Sequence, residues 1–228
     1  MSILQSTRLV LAPPHRAGFP FLGAGLVVML LGLLLWQPLA WLGALFVVFC
    51  LYFFRDPERV APARASVILA PADGRIVVLD QAPPPAELDL GSRPRWRVGI
   101  FLSVLDVHIN RVPASGTITR IAYRHGKFLD ASLDKASEDN ERNALAIRLP
   151  TGAEIAVVQI AGLIARRIVC EVAEGDAVAA GSRFGLIRFG SRTDLYLPDG
   201  VEPLVAIGQR MVGGETVIAE PGRMAPAQ

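Results

Sequence analysis

Two uncharged apolar runs near the start of the chain limit what it can fold into. GFPFLGAGLVVMLLGLLLW fills Gly18 to Trp36, LAWLGALFVVFCLYFF fills Leu39 to Phe54, and Gln37-Pro38 separates them. As helices they reach about 28 Å and about 24 Å, against a hydrocarbon core of about 30 Å. Hydrophobic residues make up 52% of the chain, more than an ordinary soluble domain carries, so a membrane segment is expected. Pro38 breaks the helix and predicts a tight helical hairpin over 18–54. Arg8 and Arg16 precede the pair, and Arg55, Arg59 and Arg64 follow it. Positive charge on both flanks places both ends in the cytoplasm, as an even number of crossings requires. A hairpin that dips in without crossing satisfies the same charges. The apolar region is too long for a signal peptide and lacks a small-residue cleavage site. Trp36 and Trp41 flank the turn, where an interfacial belt would lie.

From Val60 onward the pattern changes. GRIVVLD, RWRVGIFLS, GTITRIAY, NALAIRLP, AEIAVVQIA and RRIVCEV are short runs, many rich in Val and Ile, separated by Gly, Pro and Asp. Their near period-two alternation reads as strands. The chain thus divides into an N-terminal segment 1–17, a membrane-associated hairpin 18–54 and a β domain 55–228. PADGRIV at Pro71 and PASGTIT at Pro113 share the pattern P-A-x-G-x-I-x. GDAVAAGSRF at Gly175 and GQRMVGGETV at Gly208 share spaced glycines and apolar positions. These repeated strand–turn–strand units resemble the hairpins of lipoyl-like domains. The expected fold is mainly all-β, a barrel-sandwich hybrid-like domain with a duplicated hairpin motif. QAPPPAELDLGSRPR, Gln81 to Arg95, reads as an exposed insertion. HGKFLDASLDKASEDNERN, His125 to Asn143, reads as a polar loop or short helix.

Several function classes lack support. The formal net charge of +2 leaves no nucleic-acid footprint. Cys50 and Cys170 form neither a disulfide framework nor a metal spacing, and suit a reducing, cytosol-facing location. No G-x-S-x-G elbow surrounds Ser191 and no Gly-rich phosphate loop is present. His108 ends an apolar strand, His125 opens the polar loop and His15 precedes the apolar run. Asp73 in PADG reads first as a turn former. Gly190-Ser191, between two strand-like runs, reads first as an ordinary hairpin turn.

The ordered set of motifs carries more. FFRDPER, PADGRIV, FLSVLDVHINRVP, GKFLDASLDKASEDNERN, GLIARRIV and RFGLIRFGSRTDLYLP occur in this order between about Phe53 and Ala219. Together they resemble the phosphatidylserine decarboxylase proenzymes of the short bacterial type, which are self-processing pyruvoyl enzymes. The resemblance implies cleavage between Gly190 and Ser191, into a long chain 1–190 and a short chain 191–228 that stay associated. It implies a covalent pyruvoyl group derived from Ser191, with no metal and no diffusible cofactor. That group forms a Schiff base with the amine of phosphatidylserine, in the electron-sink role that pyridoxal phosphate plays elsewhere. The product is phosphatidylethanolamine, and the expected location is the inner cell membrane with the catalytic domain on the cytoplasmic side.

His108 is the candidate base, with Asp73 orienting or stabilising it, because a neutral serine hydroxyl needs activation. Longer family members resemble H-x-x-H here. This chain has Arg111 at the second position, which cannot act as a base near neutral pH. Either His108 serves both steps, or processing draws on Asp73 or water. Arg166, Arg167 and Arg142 are candidate phosphate contacts; Asn140 and Asn143 are candidate pocket residues. A homo-oligomer is left open. Two alternatives remain: a decarboxylase of a related serine phospholipid such as archaetidylserine, and a non-enzymatic membrane-tethered hybrid-motif module. A carrier module wants a lysine at a hairpin apex, and no lysine follows Lys135.

Overall fold

A computed structural model describes residues 12–64, 66–126, 140–162, 167–188 and 190–221. The chain forms two compact units, Met1–Glu58 and Arg59–Gln228.

In the first unit, α1 (Phe19–Leu35) and α2 (Gln37–Phe53) are joined at Trp36 alone, whose backbone is extended. The break thus falls one residue before Gln37. Pro38 lies in the first turn of α2, where its missing N–H costs nothing. The helices touch through glycine: a Cβ on Gly32 would collide with the Ala40 backbone, and one on Gly43 with that of Met29. Small residues at such crossings let backbones approach closely. The two ends of the hairpin are tied together, with His15 N–H donating to Phe54 O at 2.7 Å and Asp56 N–H to Pro13 O at 3.0 Å. The helix Arg16–Leu35, which includes a preceding 3-10 turn, is long and apolar enough to cross a membrane; α2 is shorter.

The second unit is β throughout its described residues, apart from one 3-10 turn at Ala86–Leu88. Its strands are β1 (Ile68–Leu69), β2 (Gly74–Ala82), β3 (Arg95–Leu102), β4 (Ile109–Arg111), β5 (Gly116–Arg124), β6 (Arg142–Arg148) and β7 (Glu154–Ala161). They continue as β8 (Ile168–Cys170), β9 (Ala177–Val178), β10 (Arg183–Ile187), β11 (Ser191–Tyr196), β12 (Arg210–Met211) and β13 (Val217–Ala219). An eight-stranded sheet runs β12-β2-β3-β11-β7-β6-β5-β9, with β4-β10-β8 and β1-β13 as smaller sheets. The main core lies on one face of the large sheet, where Ile76, Val98, Ile100, Leu145, Val157 and Leu195 meet Ile68, Val112, Phe184 and Ile218.

The sequence repeat is a structural duplication. The two P-A-x-G segments open β2 and β5, and the two glycine-spaced segments supply the edge strands β12 and β9. Ile76 exchanges backbone hydrogen bonds with Gln209 O (3.1 Å) and Gly208 N (2.8 Å); Ile118 does the same with Asp176 O (2.9 Å) and Gly175 N (2.8 Å). Each half carries a register shift at the same place, between Ile76 and Val78 and between Ile118 and Arg120. The halves also cross-link, Leu69 N–H donating to Pro113 O and Arg111 N–H to Pro71 O, both at 2.8 Å. Gly181 and Gly214, with φ of +77° and +77°, turn the corresponding loops, and these loops pack on one another.

One expectation holds in part. Residues 91–94 of the Pro-rich segment are exposed, but Leu88 is 2% exposed and packs on Ala144, Ala146, Ala156, Val158, Ile160 and Tyr196. These residues form the second face of the large sheet. A strand buried on both faces reads as a continuous apolar run, as in NALAI, so the second face needs a cover. The 3-10 turn supplies it, and Glu87 pairs with Arg142 at 2.6 Å.

Candidate active site

Ser191 opens β11, the strand at the centre of the large sheet. It lies opposite Leu102 on β3 and Ala161 on β7. The Gly190-Ser191 junction is not a hairpin turn. β10 pairs with β4 and β8 in a smaller sheet, so the chain crosses between sheets at this point. Gly190 has φ +73°, the left-handed region that glycine enters without a Cβ penalty.

The groups around this junction are ordered by backbone chemistry. Gly190 O accepts a hydrogen bond from Gly162 N–H at 3.1 Å. Gly190 N–H points at His108 Nε2, 3.4 Å away. A backbone N–H can only donate, so Nε2 presents its lone pair, and the ring proton sits on Nδ1. Nδ1–H then donates to Asp106 O at 3.0 Å, which is the tautomer that a base at Nε2 needs. His108 is 1% exposed and Ser191 0%. The Ser191 Oγ is buried without a hydrogen-bond partner, which is costly for a structural hydroxyl and common at reacting groups.

A buried chain of amides holds this corner. Asn143 Nδ2–H donates to Gln159 Oε1 (2.9 Å), Gln159 Nε2–H to Asn110 Oδ1 (2.8 Å), and Asn110 Nδ2–H to Thr193 Oγ1 (3.3 Å). Asn110 is two residues from His108 and Thr193 two from Ser191, so the chain ties both functional strands to β6 and β7. Replacing Gln159 by Leu strands two buried polar groups. We expect a loss of about 2–6 kcal/mol at about 1–3 kcal/mol per orphaned group, read as a lowered melting temperature, together with slower turnover at the loosened corner.

Alternate residues of β11 face the other side of the sheet. There Arg192 and Asp194, both 0% exposed, form a two-pronged pair at 2.7 and 2.8 Å. Arg97 stands 3.9 Å from Asp194 and pairs with Asp80 at 2.6 Å. The Asp80 hydrogen bond raises the Arg97 pKa, holding it charged. Burial, with the Asp194 charge beside it, pushes the Tyr196 phenol up to about 12.

The other expected site residues divide. Asp73 accepts from Gly213 N–H at 2.8 Å and from Arg59 at 2.8 Å. Its duplicate, Ser115, accepts from Ala180 N–H at 2.9 Å, so Asp73 fixes a loop in the way that its counterpart does. Arg111 donates to Gly181 O at 2.8 Å and is 4% exposed, so its guanidinium ties a neighbouring loop. Arg142 engages Glu87 on the far face of the sheet, while Asn143 faces inward, as strand alternation dictates. Asn140 donates to Ala161 O at 2.8 Å, bracing the strand end opposite Ser191. Arg166 lies outside the described residues. Arg167 is exposed, and its backbone oxygen accepts from Arg188 N–H at 3.3 Å. Burial, then the Arg167 charge, lowers the Arg188 pKa, so two cations stand close together. Nearby, Tyr123 OH hydrogen-bonds Glu141, and burial with that bond pushes the phenol up to about 12. Sequence reasoning passed over Gly162 and Asp106, because both act through the backbone and leave no side-chain signature.

A buried serine, its preceding carbonyl already held by an N–H, and an imidazole whose lone pair meets the N–H of the adjoining peptide make up a candidate catalytic site. The comparisons agree in kind. A family model described as phosphatidylserine decarboxylase matches residues 46–219. A protein of Granulibacter bethesdensis is 66% identical over 220 residues, covering 96% of this chain and 90% of its own. Proteins of Gluconacetobacter diazotrophicus and Gluconobacter oxydans are each 64% identical, covering 96% of this chain and 99% and 100% of theirs. All three carry the name phosphatidylserine decarboxylase proenzyme. The chain is therefore a decarboxylase rather than a binding module. It belongs to the phosphatidylserine decarboxylase family.

Proposed function

We propose that this chain converts phosphatidylserine to phosphatidylethanolamine and CO2, after cutting itself between Gly190 and Ser191 to make a pyruvoyl group. The observation that carries the reading is the Gly190 carbonyl, held by Gly162 N–H and followed by a buried Ser191 hydroxyl that has no hydrogen-bond partner. In the cut, Ser191 Oγ bonds to the Gly190 carbonyl carbon as the Gly190–Ser191 C–N bond breaks, and the hydroxyl proton passes to the freed amine. Gly162 N–H stabilises the oxygen while it carries negative charge, as oxyanion donors do. Loss of the Ser191 α-proton then breaks the Cβ–Oγ bond. The long chain leaves with a Gly190 carboxylate, and the 191 side chain becomes an alkene. Tautomerisation and water replace the nitrogen by oxygen and release ammonia. His108 Nε2 is the group that takes the proton from Ser191 and returns it.

The residues present suit the group they would make. It would lie at the head of β11, between β3 and β7, with its amide continuing into Arg192. Its ketone supplies an electron sink for the substrate's amine when the carboxylate leaves. His108, 1% exposed, holds a proton for the carbon left behind, and burial at this corner keeps competing water away. Arg167 and Arg188 offer the lipid phosphate its cationic contacts. The arginines flanking the hairpin and its tied ends support an orientation with the β unit on the cytoplasmic side of the inner membrane.

Intact mass of the purified protein tests the reading: two chains of 190 and 38 residues, the smaller with a blocked terminus. His108→Ala tests the proton route. General acid–base groups contribute about 10²–10⁴-fold, so a mass time course should show cutting slowed by about a hundredfold or more. A parental rate removes His108 from the mechanism.

A further inference from the structure

We infer that the turn Ser103–Asp106, between β3 and β4, is a lipid-contacting finger that docks the active-site end of the β unit on the bilayer surface. The inference rests on the function proposed above. The turn presents Val104 and Leu105, 40% and 63% exposed, to solvent. Contiguous exposed apolar side chains rimmed by polar residues mark a protein or membrane contact, and a rigid loop holds them in place for it. This one is rigid. Asp106 N–H donates to Ser103 O at 2.9 Å, and the Asp106 carboxylate accepts from Ser103 N–H (2.9 Å) and Ser103 Oγ–H (2.7 Å). Asp106 O also positions the His108 ring at 3.0 Å. The apolar tip and the imidazole therefore share one short segment.

The surroundings fit a lipid headgroup layer. Arg210, 70% exposed in its side chain, reaches Asp106 at 3.5 Å. Arg75, also exposed, pairs with Arg210 in register at the same end of the sheet. Tyr123, 46% exposed, lies at the β5 end facing the head of β6, on the same end of the sheet as Arg167's side of the site. Apolar tips, an aromatic hydroxyl and arginines around one end match the composition of surfaces that lie in a membrane interface. The substrate's chemistry selects the occupant: a two-chain phospholipid stays in the bilayer, while Ser191 and His108 are buried at the base of this turn. A bilayer-seated finger brings the headgroup to them without extracting the acyl chains.

The test uses the full chain reconstituted in phosphatidylcholine vesicles, with Cys50 and Cys170 replaced by serine. A polarity-sensitive dye on Leu105→Cys should lose about half its emission when the acyl chains are brominated, as shallow apolar insertion requires. The same dye on Ser92→Cys, before the opposite end of β3, should lose none. Replacing Val104→Ser and Leu105→Ser together should leave self-cleavage and turnover of monomeric short-chain phosphatidylserine unchanged. On vesicle substrate the rate should fall about a hundredfold, the scale of losing two inserted aliphatic side chains. A dye at 105 that ignores brominated lipid overturns the inference; so does shielding that depends on protein concentration and not on lipid, which would assign the turn to a second copy. If the chain neither cuts itself nor decarboxylates, the functional reading fails, and the bromine readout still decides the turn.

Discussion

Ser191→Ala should leave the chain whole. Denaturing electrophoresis and intact mass should find one polypeptide of 228 residues and no decarboxylation, where the parent gives two fragments and activity. The effect is all-or-none because the alanine methyl supplies neither the attacking oxygen nor the leaving group. Folding should survive: the Ser191 Oγ makes no hydrogen bond, so its removal orphans nothing, and the β11 ladder to β3 and β7 is backbone. Cleavage of the alanine variant at the same bond would move the nucleophile elsewhere. In the parent, the cut should not release the small chain. β11 is hydrogen-bonded on both sides, and β12 and β13 remain paired with β2 and β1.

Asp194→Ala should destabilise the protein more than any surface change. Arg192 and Asp194 are each 0% exposed, and Asp194 also faces Arg97 at 3.9 Å. Removing the carboxylate leaves Arg192 in the interior without that charge beside it. Breaking a buried pair from one side costs about 3–5 kcal/mol, a large share of the roughly 5–15 kcal/mol that holds a domain together. Thermal unfolding should begin about 10 °C lower. Replacing both members, Arg192→Met with Asp194→Leu, should recover much of the loss. An unchanged melting temperature in Asp194→Ala would show that the pair contributes no net stability. On the proposed function the consequence reaches activity, because Arg192 immediately follows Ser191, and its anchoring fixes the direction of the group that Ser191 is proposed to become.

Much of the candidate site was legible as ordered motifs. GSR and DVHIN singled out Ser191 and His108 as candidates, and the P-A-x-G and glycine-spaced repeats announced the duplication that the hydrogen-bond pattern displays. Residue type alone does not give partners. Asp73 and Arg142 read as site residues from their charge, and the structure adds that Asp73 accepts from Gly213 and Arg59 and that Arg142 pairs with Glu87. The Pro-rich segment has the composition of an exposed loop and covers a sheet face. The Gly-Ser junction has the composition of a hairpin and connects two sheets.

Properties set by near neighbours in the chain could be read directly: apolar length, strand alternation, turn glycines and the serine after a glycine. Those set by register could not. The imidazole lies 82 residues from the peptide it faces, and the amide chain spans separations of 16, 49 and 83. Shifting a strand by one residue turns every side chain to the opposite face, so only the assembled sheet selects which polar groups meet at Ser191 and which are spent on its far side.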